Sequence, residues 1–83
     1  MDTYTPLRRY LESIPKGTAK VTMTFEEFSR IAPNRAGHSM RTHRPWWENQ
    51  RAAGRPQSEA WMSAGWEVDT VDQTAEVVTF RRT

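Results

Sequence analysis

The chain has 83 residues, of which 36% are hydrophobic and 27% charged, and its formal net charge is +2. This length allows one small core, with a net stability of roughly 4–12 kcal/mol. The absence of cysteine excludes disulfides and cysteine-based zinc sites, and no apolar run approaches the roughly 20 residues of a membrane helix. We therefore expect a single cytoplasmic domain over residues 1–83, with a basic loop region at about 33–57.

The charge is unevenly distributed along the chain. Residues 35–55 contain five arginines and one acidic residue, whereas residues 56–79 contain five acidic residues and no lysine or arginine. Arg81 and Arg82 follow near the C-terminal end. Such asymmetry indicates either a solvated basic loop facing a solvated acidic hairpin, or a basic face that binds an anionic polymer.

The first predicted element is a helix near the N-terminus. Thr5 can act as its N-cap, and Pro6 then occupies the first helical position, where its missing N–H has no cost. The apolar residues that follow have the spacing of one helical face: Leu7, Tyr10, Leu11 and Ile14. Pro15 and Gly17 end this helix.

A strand and a second helix follow. Residues 20–25 alternate polar and apolar side chains, which is typical of a half-buried strand. Thr24 and Glu27 have the T-x-x-E spacing of a capping box, in which each side chain satisfies a backbone N–H at the helix start. The side chains expected to face the core from this segment are Val21, Met23, Phe25, Phe28, Ile31 and Ala32.

The middle of the chain is harder to interpret, because three prolines and two glycines in residues 33–58 interrupt any long periodic element. Residues 37–44 could form one or two helical turns with Ser39 as a cap, and Pro45 favours extended geometry at Arg44. Residues 46–49 are interpreted as a short strand or an extended segment that places one tryptophan inward, although the sequence does not decide between strand and helix for these residues. We expect residues 50–57 to form a mobile loop.

Regular structure is predicted again from Ser58, which would cap a third helix that has Glu59 in its first turn. Ala60, Trp61 and Ala64 would pack inward from this helix, and Gly65 is the expected left-handed stop. Two alternating segments at 66–71 and 77–82, linked by a polar turn at 72–74, predict an antiparallel hairpin.

These elements predict an α+β domain of three helices and a three-stranded antiparallel sheet, with a possible fourth strand at 46–49. The order α-β-α-(α/β)-α-β-β is similar to that of winged-helix domains, in which a terminal hairpin forms the wing. This similarity is topological, so it favours nucleic-acid binding only modestly.

The tryptophan-bearing motifs resemble those of a family of small bacterial domains of unknown function. Members carry W-W-x-N, A-W-x-x-A-G-W-x-V and V-x-F-x-R, which correspond to residues 46–49, 60–68 and 78–82. The N-terminal helix and the step into the second helix are similar as well, so the resemblance covers nearly the whole chain. Members often have Leu-Pro-x-Ser-Ala before the double tryptophan, whereas residues 34–40 differ here. The resemblance implies a fold and no particular activity.

The sequence does not indicate an enzyme. His38 and His43 are the two histidines, and their spacing is not the i, i+4 of a helical metal pair. Ser39 and His43 could approach each other on a helix, but no third residue is placed to orient the histidine. All four glycines are isolated, so there is no phosphate-binding loop. We expect no catalytic residue, no metal and no cofactor.

The basic segment predicts a nucleic-acid-binding surface. Arginines bind phosphate or guanine through two parallel hydrogen bonds, and amide side chains reach base edges. Arg81 and Arg82 would add a wing-like phosphate contact. The predicted binding residues are Arg35, Arg41, His43, Arg44, Asn49, Gln50, Arg51, Arg55, Arg81 and Arg82.

Two alternatives stay open at this point. Trp46 or Trp47 could stack on an unpaired base if exposed, whereas the family spacing is also what core residues would show. For function, we expect a small domain that binds nucleic acid, with duplex DNA as the expected form and no membrane partner. The alternative is a protein-interaction or regulatory accessory module that docks on a larger protein through exposed aromatic side chains or an edge strand.

Overall fold

A computed structural model describes residues 4–32, 37–50 and 55–83, which form four α-helices, one 3₁₀ turn and three strands. The helices are α1 (Thr5–Glu12), α2 (Phe25–Ile31), α3 (Gly37–Thr42) and α4 (Pro56–Ser63). The strands are β1 (Lys20–Thr24), β2 (Trp66–Asp72) and β3 (Val77–Arg82), and the 3₁₀ turn Arg44–Trp47 is called the double-tryptophan turn. No helix in these ranges is long and apolar enough to cross a lipid bilayer.

The three strands form one antiparallel sheet in the order β1-β3-β2, which confirms the predicted α+β class and C-terminal hairpin. β1 pairs with β3 so that Met23 lies opposite Val78, and β2 pairs with β3 so that Val68 lies opposite Phe80. These four side chains are buried, whereas those between them are exposed or half-buried. The helices therefore cover one face of the sheet and leave the other face open. No fourth strand occurs in the described ranges, and residues 44–47 form a 3₁₀ turn instead.

Aromatic side chains fill the space between the helices and the sheet. All four tryptophans are buried, and Trp47 stacks on Phe25 and on Trp61 with ring centroids 5.2 and 5.9 Å apart. Phe28 meets the ring of Trp47 edge-on at 5.2 Å. The interpretation of residues 46–49 as extended, with one tryptophan inward, is therefore wrong, and the choice between strand and helix is decided by the 3₁₀ turn at 44–47. Successive side chains lie on opposite sides of an extended segment but only about 120° apart in a 3₁₀ turn, so both rings can enter the core.

Several predicted helix starts differ from the observed ones. Thr5 is the first residue of α1 rather than its cap, and the N-cap is Tyr4. Tyr4 is 4% exposed and Tyr10 is 43% exposed. Tyr4, Leu7 and Leu11 are spaced i, i+3 and i+7, so they lie on one helical face. The buried tyrosine of this face is therefore Tyr4, whereas the sequence-based prediction is Tyr10. Ser39 lies inside α3 rather than at its start.

The start of α4 also precedes its predicted position. Pro56 and Gln57 already belong to the helix, so Ser58 is not its cap and residues 50–57 are not one continuous loop. Gln57 is buried, and its side-chain amide donates to the backbone oxygen of Trp46 at 3.2 Å. Proline suits the first turn of a helix because its missing N–H would be unpaired there anyway. Residues 51–54, on which part of the predicted loop falls, lie outside the described ranges.

Local signals with a specific chemical pattern are confirmed. Thr24 and Glu27 form the capping box: the Thr24 N–H donates to Glu27 Oε1 at 2.9 Å, and the Glu27 N–H donates to Thr24 Oγ1 at 3.0 Å. Gly65 ends α4 with a φ of +88°, in the left-handed region that glycine enters without strain. The prediction of extended geometry at Arg44 is wrong, because Arg44 begins the double-tryptophan turn and the extended residue is His43.

Candidate nucleic-acid interface

Asn49 joins three elements of the fold. Its Oδ1 accepts hydrogen bonds from the Trp61 indole N–H at 2.9 Å and from the Val68 backbone N–H at 2.8 Å. Its Nδ2 donates to the Val68 backbone oxygen at 3.1 Å. The side-chain amide therefore pairs with the edge of β2 as a neighbouring strand would. Both polar atoms of the Asn49 side chain are used in these bonds, which explains why an asparagine is needed at this position. Asn49 therefore has a structural role rather than the predicted role at a base edge.

Arg82 is also bound within the fold. Its guanidinium donates to the backbone oxygens of Thr18 at 3.0 Å and Pro15 at 2.9 Å, with a longer bond of 3.4 Å to Ile14. The same group lies 4.3 Å from the centroid of the Trp66 ring. A cation suits the carbonyl groups that follow a helix end and the face of an indole ring. Arg82 thus joins the segment after α1 to the sheet, which removes it from the predicted wing contact.

Arg81 belongs to a charge cluster on the open face of the sheet. Its Nε donates to Glu67 Oε1 at 2.5 Å, and its Nη1 lies 3.3 Å from Asp69 Oδ1. Lys20 Nζ is 3.1 Å from the other oxygen of Asp69. The hydrogen bond and the charge of Glu67 raise the pKa of Arg81 above its ordinary value. Two cations and two carboxylates therefore neutralise one another where the wing hypothesis requires an available positive charge.

Two further predicted arginines, Arg41 and Arg55, also contact carboxylates. Arg41 Nε donates to Glu76 Oε2 at 2.9 Å, so the basic segment meets the acidic hairpin in space. Arg55 donates to the Pro45 backbone oxygen at 2.7 Å and lies 3.9 Å from Glu48 Oε1. Arg41 is thus paired with the acidic hairpin and Arg55 with the one carboxylate of the basic segment, so these two arginines do not present unpaired charges.

Two of the remaining predicted residues, Arg44 and Gln50, line an open cleft beside the double-tryptophan turn, called the Arg44 cleft, with a volume of about 640 Å³. Arg44 is exposed, and within the described ranges its side chain has no ion pair or hydrogen bond. Gln50 is exposed as well, and its amide donates to Glu48 Oε1 at 3.2 Å. The residues that line the cleft are Arg44, Pro45, Trp47, Glu48, Asn49, Gln50, Val68 and Asp69.

His43 is exposed and directly precedes Arg44 in the chain. The predicted residues Arg35 and Arg51 lie outside the described ranges. Among residues 4–32, 37–50 and 55–83, no three histidine or carboxylate side chains come close enough to hold a metal ion.

Sequence reasoning missed the carboxylates of the cleft. Glu48 is the one acidic residue within the basic segment 35–55, and this isolated position is the feature by which the sequence could have indicated it. Asp69 could not be found in this way, because an irregularity in the pairing of β2 between Val68 and Thr70 sets its position.

The family model described as Domain of unknown function (DUF7662) matches residues 4–83. This match confirms the resemblance to a family of unknown function that the tryptophan motifs indicate. The comparisons with curated proteins and with solved structures found no match.

Proposed function

We propose that this chain, which belongs to the DUF7662 family, binds nucleic acid through the Arg44 cleft. One observation carries the proposal: of the predicted arginines that the structure describes, Arg44 alone lacks a partner among the described residues. Arg41, Arg55 and Arg81 contact carboxylates, and Arg82 binds backbone oxygens. A guanidinium without a partner can bind a phosphate without first giving up an existing contact.

The chemistry of the cleft supports the same proposal. A guanidinium is planar and remains charged, and it matches a phosphate through two parallel hydrogen bonds. The Gln50 amide, on the same cleft, can donate to and accept from a base edge. The volume of about 640 Å³ lies within the range of roughly 300–1,000 Å³ that small-molecule sites have, and a nucleotide is a ligand of that size.

The hairpin offers less to a nucleic acid than the winged-helix order implies. Arg81 and Arg82 are bound internally, and Asp72 and Glu76 lie at the ends of the β2–β3 turn. Carboxylates at this position would repel the phosphates of a groove. We therefore assign binding to the cleft, not to the hairpin.

Fluorescence anisotropy with labelled single-stranded and duplex oligonucleotides tests the proposal. At 50 mM salt and protein up to about 100 μM, we expect binding, since non-specific dissociation constants are typically 10⁻⁴–10⁻⁶ M. Arg44→Ala should weaken binding about five-fold, which corresponds to one lost charged contact of about 1 kcal/mol. Arg9→Ala removes the same charge from the exposed side of α1 and should change the affinity less than two-fold.

Equal losses in the two variants, or no binding to any oligonucleotide, would contradict the proposal. Absence of binding together with a homodimer at the same concentration would favour the alternative, a protein-interaction module.

A further inference from the structure

We infer that the Arg44 cleft holds an unpaired guanine base, an inference that rests on the proposed function and names its ligand. The cleft combines groups that a simple phosphate-binding surface would not contain. Hydrogen-bond donors are present on Arg44 and Gln50, and carboxylates are present on Glu48 and Asp69. Carboxylates repel a run of phosphates, so the acidic part of the cleft requires a neutral group that donates hydrogen bonds.

The two carboxylates differ in how far they are already used. Both oxygens of Asp69 contact cations, one Lys20 and the other Arg81, and its side chain is 19% exposed. Glu48 is 48% exposed, and its described contacts, to Gln50 and Arg55, both involve Oε1. Glu48 is therefore the acceptor available to a ligand, while Asp69 contributes to the wall of the cleft.

The Watson–Crick edge of guanine is the natural complement of such a carboxylate. Its N1–H and N2–H₂ groups point in the same direction and match the two oxygens of Glu48, of which Oε2 has no contact within the described ranges and Oε1 has a second lone pair beside the bond from Gln50. The guanine O6 can accept from the other N–H of the Gln50 amide. Uracil, thymine, cytosine and adenine do not have two adjacent donors on this edge. Pro45, which is exposed, gives the body of the base an apolar contact, while Trp47 and Val68 form the buried floor of the cleft.

Arg44 then has the phosphate of the same or the neighbouring nucleotide as its partner. A paired guanine cannot bind in this way, because its N1–H and N2–H₂ are hydrogen bonded to cytosine. The ligand is accordingly a single-stranded or looped nucleic acid, whose bases can be read on their Watson–Crick edges. The Trp47 ring contributes packing only, since it is 1% exposed and its N–H donates to the Met40 backbone oxygen at 2.9 Å.

Anisotropy titration of the intact chain with oligothymidylates that differ at one central position tests this inference. The central residue is guanine, inosine or adenine, and inosine lacks only the N2 amino group. We expect guanine to bind about five- to ten-fold more tightly than inosine or adenine, as expected for one or two lost hydrogen bonds. Annealing the complementary strand should remove the preference.

Glu48→Gln should reduce the guanine-to-inosine ratio to near one while binding to oligothymidylate persists, because an amide presents only one acceptor. Glu12→Gln, on the exposed side of α1, is the matched control and should keep the ratio of the natural chain. Equal affinities for guanine, inosine and adenine, with binding that still depends on Arg44, would overturn the inference and leave the proposed function intact. Absence of binding to every oligonucleotide would overturn both.

Discussion

At the residue scale, the side chains of Asn49 and Arg82 form hydrogen bonds with backbone groups that lie outside the regular pairing of the helices and strands. Asn49 pairs with both backbone groups of Val68 and with the Trp61 indole, and Arg82 binds three carbonyl oxygens and the Trp66 ring. Buried or half-buried polar groups cost free energy when they are left unpaired. Both residues were predicted to contact nucleic acid, and their contacts give them a role in folding that variants can separate from binding.

Asn49→Ala should lower the free energy of unfolding by about 2–4 kcal/mol, because the Trp61 N–H and the two Val68 backbone groups lose their partner. For a chain of this length, the melting temperature should fall by roughly 10–20 °C. Asn49→Asp should also destabilise the fold, since a carboxylate cannot donate to the Val68 oxygen. Thermal unfolding followed by circular dichroism provides the measurement. A variant with unchanged melting temperature would show that these bonds are not important to stability.

Arg82→Ala should destabilise the chain by about 2–4 kcal/mol through the loss of charged hydrogen bonds and of the cation–π contact. Arg82→Lys keeps the charge but lacks the fork that reaches several oxygens, so it should recover only part of this loss. Arg9→Ala is the control for an exposed arginine. If Arg82→Lys unfolded at the same denaturant concentration as the natural chain, charge alone would account for the role of Arg82.

At the scale of elements, the structure separates what local sequence determines from what distant contacts determine. Thr24 and Glu27 lie three residues apart and bind each other's backbone, so their capping box is predictable from the sequence. The double-tryptophan turn is not predictable in the same way. Trp46 and Trp47 have no periodic pattern of their own, and their rings pack on Phe28 and Trp61, which come from other elements.

Thr24→Ala should destabilise the chain by about 1 kcal/mol, the usual effect of losing an N-cap side chain. Thr74→Ala, at an exposed position in the β2–β3 turn, should change stability by less than about 0.5 kcal/mol. Urea unfolding of the two variants measures the difference. Equal midpoints would contradict a stabilising role for the capping box.

The capping box should also make stability depend on pH. Its hydrogen bonds, first to the Thr24 backbone and then to the Thr24 hydroxyl, hold the pKa of Glu27 below the ordinary value of 4.5. The ionised form is therefore favoured by folding, and its contribution is complete above pH 4.5 and is lost as the pH falls through the lower pKa of the folded state.

Melting temperatures between about pH 3 and 6 should show this loss in the natural chain and a smaller loss in Glu27→Gln, which cannot ionise. Glu12→Gln controls for the removal of one carboxylate. The same pH profile in the natural chain and in Glu27→Gln would contradict the argument.

At the scale of the whole molecule, the fold pairs many of the basic side chains with carboxylates, although the sequence separates basic from acidic segments. Five basic side chains in the described ranges, Lys20, Arg30, Arg41, Arg55 and Arg81, each lie within 4.0 Å of a carboxylate. The asymmetry between residues 35–55 and 56–79 suggested a basic face, and the sequence could not show that Arg41 and Glu76 would meet across 35 residues. The predicted site is accordingly reduced to Arg44 and its neighbours.

This reduction predicts a weak dependence of nucleic-acid affinity on salt. One or two phosphate contacts on single-stranded nucleic acid should give a slope of log K against log salt of about −0.7 to −1.4. A continuous face of five arginines would give about −3.5. Anisotropy titrations between about 50 and 200 mM salt distinguish these values. A slope near the larger value would show that the internal ion pairs open when nucleic acid binds.

The central claim is that binding occurs at the Arg44 cleft, and the most direct test is a map of amide chemical shifts in the ¹⁵N-labelled chain during titration with a guanine-containing single strand. We predict that the largest changes occur at the amides of residues that line the cleft: Arg44, Trp47, Glu48, Asn49, Gln50, Val68 and Asp69. Largest changes at Arg8 and Arg9 on α1 or at Arg81 on the open sheet face, or no changes at all, would contradict the claim.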